Sequence, residues 1–98
     1  MKRLLSTDIN SPQAIPYFMW DEPMTVSDLK GRLLTASDHE RTRLLGKILR
    51  EARDTDVWRF TTPTEVLSNW SALSKHLGRR RPFWEFHFEF WKKEGLIG

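Results

Sequence analysis

The sequence contains no cysteine. That absence removes disulfide staples, thiolate nucleophiles, redox relays and cysteine-based zinc sites from consideration, and a cytoplasmic setting is the natural expectation. It also lacks any apolar run near the roughly 20 residues that a membrane-spanning helix needs. The first residues, MKRLL, lead into the polar STDINSPQ rather than an apolar stretch of signal-peptide length, so no leader is expected. Hairpin signals of the Asn-Gly or Asp-Gly kind are missing, as are internal repeats. An excess of one charge is missing too: 16 basic residues stand against 13 acidic ones, giving +3, less than a dedicated nucleic-acid binder usually carries. What remains abundant is aromatic surface, with five tryptophans and six phenylalanines in 98 residues. A chain of this length builds one modest core, and that aromatic content implies either dense packing or an adhesive exterior.

Residues 1–16 are polar, hold Pro12 and Pro16 and show no periodicity, so they read as a flexible tail. Prolines flank the aromatic block PYFMWDEP at 16–23, which reads as an extended arm anchored by Trp20. Helix signals follow in order. Thr25 caps a short helix over 26–35, with Val26, Leu29, Leu33 and Leu34 at helical spacing, interrupted by Gly31. Ser37 and Glu40 form a capping-box pattern opening a helix over 38–53, whose Leu44, Leu45, Ile48, Leu49 and Ala52 make one apolar stripe opposite a mostly basic face that includes Lys47. Val57, Trp58 and Phe60 suggest a brief turn. Thr62, Pro63 and Glu65 then supply cap, first-turn proline and third-position glutamate for a helix over 63–77, with Gly78 as its stop.

The closing stretch RRRPFWEFHFEFWKKEGL, 79–96, satisfies two periods at once. Trp84 to Phe90 alternates like a half-buried strand, while on a helical wheel its aromatic residues fill one arc of about 200°. A lone strand would leave its backbone groups unpaired, whereas Pro82, the Glu89 and Lys93 pair and Gly95 all suit a helix over 81–94. The fold class expected is all-α: a compact bundle of about four helices (26–35, 38–53, 63–77, 81–94), forming a single helical domain over 17–98 behind the tail.

No motif dictates a chemistry. The three histidines lack ligand spacing, so neither a metal nor a cofactor is expected. Arg79, Arg80 and Arg81 lie where a helix starts, an end that disfavours cations and therefore suggests an anionic partner. The aromatic arc is wider than one neighbouring helix can cover, which makes Trp84 and Trp91, together with Trp20, candidates for a partner-binding patch, with self-association as a second use. Arg81 and His87 resemble the R-x4-6-H motif of HEPN ribonucleases, although Pro82 follows the arginine where that family prefers a polar residue. A helix-turn-helix would need 38–53 and 63–77 to be joined by an unusually long turn, and Glu65 would face the bases, so the runner-up is a small regulator with weak DNA or RNA contact through the arginines.

The layout YFMWD (17–21), ERTRLLGKILREAR (40–53) and an arginine followed by Phe83-Trp84 resembles small bacterial proteins encoded beside AbiEii-type nucleotidyltransferase toxins. The resemblance spans 17–91 and implies an antitoxin that occludes such a toxin, with no catalytic residues of its own.

Overall fold

The computed structural model describes residues 5–95 and is mostly helical. Six α-helices and one two-stranded parallel sheet occur among these residues. The chain divides between Arg41 and Thr42 into two compact units.

In the first unit, residues 5–16 form a folded loop rather than a bare tail. β1 (Leu5–Ser6) pairs in parallel with β2 (Ile15–Pro16), and Ile9 and Ile15 are buried. Asp8 holds the turn between them: its Oδ1 accepts from the backbone N–H of Asn10 at 3.1 Å and from the Asn10 side-chain amide at 2.9 Å. Such short polar side chains give the backbone its partners where no ladder runs, which is why this polar segment needs no helical period to be ordered. Two further bonds tie the loop to the next helix, Val26 N to Ala14 O at 2.8 Å and Ser27 N to Pro12 O at 3.0 Å.

The aromatic arm is not extended. After Pro16, at φ −59° and ψ 144°, Tyr17–Met19 make one 3-10 turn. Phe18 and Met19 are buried and anchor it, while Trp20, expected to be the anchor, is 62% exposed. A three-residue turn presents its side chains in different directions, so only part of an aromatic block can face inward. α1 (Val26–Thr35) has the expected bounds and cap, with Thr25 Oγ1 accepting from Asp28 N at 3.1 Å. α2 (Asp38–Glu51) begins where Ser37 Oγ accepts from Glu40 N at 3.3 Å, and runs across the boundary between the units.

In the second unit, the α2 stripe from Leu44 to Ala52 is buried as expected. Lys47, assigned to the polar face, is buried as well at 4% exposure. α2 ends two residues early because Arg53 turns extended, at φ −62° and ψ 145°, to start α3 (Asp54–Val57). Asp54 and Asp56 lie in the first turn of α3, where carboxylates complement the helix dipole.

The expected helix over 63–77 is broken. α4 (Pro63–Ser68) starts as the sequence indicates, Thr62 Oγ1 accepting from Glu65 N at 3.1 Å. It stops at Asn69, whose φ of −114° and ψ of 17° leave the helical region and whose side-chain amide donates to Glu65 O at 2.9 Å. Ser68 Oγ likewise donates to Thr64 O at 2.9 Å. These side chains compete with the backbone for the carbonyls of the preceding turn, which is how adjacent Ser and Asn end a helix that its apolar spacing would continue. α5 (Trp70–Leu73) and a 3-10 turn, Ser74–His76, carry the chain on to Gly78. There φ is +54°, a conformation that glycine adopts without the penalty of a Cβ. One further 3-10 turn, Gly78–Arg80, leads into α6 (Arg81–Lys93). The strand alternative for this stretch is therefore excluded, and the architecture is broadly helical without being a simple bundle of four helices.

Candidate functional site

α6 has an inner and an outer face, and the difference between them defines the candidate site. With 100° between successive residues, Trp84 and Phe88 fall on one side and Phe86 and Phe90 near the opposite one. Trp84 is fully buried, and its indole N–H donates to the Leu49 carbonyl at 2.8 Å. Trp58 packs edge-on against it, ring centroids 5.6 Å apart, and also meets Trp91 at 5.8 Å. Phe88 meets Trp70 at 5.3 Å and Trp91 at 5.4 Å, so the inner face of α6 is an aromatic cluster drawn from α3's exit, α5 and α6. Edge-to-face contacts of this kind add to the burial of the rings themselves. Trp84, expected at a partner surface, belongs instead to the core, and Trp91 is half-buried against it.

The three arginines have three different environments. Arg80 donates to the Ala52 carbonyl near the end of α2, and its guanidinium lies 4.7 Å from the Phe83 ring centroid and 5.6 Å from that of Trp84. It thereby satisfies a carbonyl beyond the last turn of α2 and stacks on the aromatic cluster, a structural use of the charge. Arg81 is exposed and pairs with Glu85 one turn on, at 3.4 Å. Arg79 is exposed on the 3-10 turn. The expected anionic contact of three arginines is thus reduced to Arg79 and the partly engaged Arg81. Replacing Arg80 by alanine is expected to lower stability by about 1–2 kcal/mol, from one lost charged hydrogen bond and the ring contacts. Lysine should restore only part of this, since it lacks the planar fork, and urea denaturation of the three proteins measures the difference.

His87 is half-buried, with Nδ1 2.9 Å from the Phe83 carbonyl oxygen and its ring 4.3 Å from the Phe83 ring. It lies six residues from Arg81, which puts the two about 120° apart around the helix. Their side chains are occupied separately, by Phe83 O and by Glu85. Among the described residues no group of three or more His, Cys, Asp or Glu could hold a metal ion. Among the same residues no helix is long and apolar enough to cross a membrane.

The outer face of α6 carries what the core leaves out. Phe86 is 67% exposed and Phe90 48%. Together with Glu89 and Lys93 they line a shallow cleft. A second cleft, lined by Leu67, Trp70, Glu85, Phe88, Glu89 and Lys92, lies on the other side of Glu89. From Glu85 to Lys93, apolar rings are therefore bordered by Glu85, Glu89, Lys92 and Lys93. Among the described residues of the first unit, Leu5, Trp20 and Leu34, the last 86% exposed, are the large apolar side chains turned to solvent. Phe86 and Phe90 were not singled out by the sequence, although their place at one edge of the broad aromatic arc was a signal that they could be left uncovered. Compared with protein-family models, curated proteins and solved structures, the chain finds no match.

Proposed function

We propose that this chain is a non-enzymatic protein-binding module, the antitoxin of a toxin–antitoxin pair, which neutralises a nucleotidyltransferase-type toxin in the cytoplasm by covering its active site. The observation that carries the reading is the uncovered Phe86 and Phe90 pair on α6, in a unit whose other large rings, Trp58, Trp70, Trp84, Phe88 and Trp91, gather in one aromatic cluster. Large exposed rings rimmed by charge are the usual anchors of a protein interface. The resemblance of the 17–91 layout to proteins encoded beside AbiEii-type toxins is what suggests this partner. On this reading the rings enter an apolar part of the toxin surface, and Arg79, with Arg81 released from its weak surface pair, meets acidic groups at the toxin's active site. The antitoxin needs no chemistry of its own, because occlusion is enough.

Co-expression with a nucleotidyltransferase encoded beside this gene tests the reading. Stable co-purification and restored growth are expected; a toxin that remains free and fully toxic would overturn it. Binding of promoter DNA that weakens steeply with salt, without toxin binding, would favour the regulator instead.

A further inference from the structure

We draw no further inference here: the strongest candidate, the uncovered face of α6 that Phe86 and Phe90 share with Glu89 and Lys93, carries nothing beyond the proposed function, because nothing in the structure shows what covers it.

Discussion

Trp84→Ala is expected to unfold most of the second unit. The side chain is completely buried, contacts Trp58, Phe83 and Phe88 through its rings, and supplies the partner of the Leu49 carbonyl. Truncating a buried tryptophan to alanine costs about 3–5 kcal/mol through lost transfer energy and the cavity left behind. The orphaned carbonyl adds to that unless water reaches it, and small domains have only about 5–15 kcal/mol in total. Trp84→Phe separates the contributions, since it retains most of the ring but not the N–H. It is expected to cost about 1–3 kcal/mol, with a cooperative melt at lower temperature and near-native circular dichroism. Equal stability of the phenylalanine variant and wild type would show that the Leu49 contact contributes little.

The second large effect is expected at a glycine. Glycine inside a helix is normally improved by alanine, by about 1 kcal/mol. At Gly46, in the middle of α2, a Cβ would lie 2.5 Å from Cβ of His76 and 3.0 Å from its Cγ. His76 cannot simply swing away: the first clash is with its Cβ, which moves only with its backbone, and its carbonyl accepts from Arg50 at 3.0 Å. Gly46→Ala must therefore push the 3-10 turn off α2, and a net loss of about 1–3 kcal/mol is expected, as for other overpacked contacts. Gly31, in α1, is the control, because nothing lies within 4 Å of the position its Cβ would take. Gly31→Ala should follow the ordinary rule and stabilise by about 0.5–1 kcal/mol. Thermal melts of both variants check the contrast, and equal signs would contradict it.

These two sites show how differently parts of the fold could be read from the sequence. The bounds of α1 and α6 were legible because caps, proline and apolar spacing agreed with one another at 25–35 and 81–94. The break at Asn69 was not, since the spacing of Val66, Leu67, Trp70, Leu73 and Leu77 is helical throughout and the interruption comes from side-chain bonds to Thr64 O and Glu65 O. Residues 5–16 show no period for a related reason: their order comes from Asp8, from the β1–β2 pairing and from bonds to the start of α1, none of which leaves a hydrophobic pattern. Gly46 carries no signal at all until His76 is known to lie beside it.

The candidate site was half legible. The width of the aromatic arc on α6 implied that some rings would be left uncovered, and this is what the exposures of Phe86 and Phe90 report. Which rings those were depended on the position of Trp58, Trp70 and Leu49 around α6, a tertiary fact. Trp84 was assigned outward because tryptophan is a common interface anchor, yet its N–H had a buried carbonyl to meet. The arginine run was read as one charge cluster, but a guanidinium can stack and donate at the same time, and Arg80 does both within the fold.

The central claim is that the inner face of α6 makes the fold and its outer face makes the function. Neutralisation of the co-expressed nucleotidyltransferase by Phe86→Ser/Phe90→Ser, scored as growth, tests it most directly. Both rings are already exposed, so the melting curve should stay close to wild type, within about 0.5 kcal/mol per site. The predicted result is a folded protein that no longer protects the cell; full protection by this variant would contradict the account.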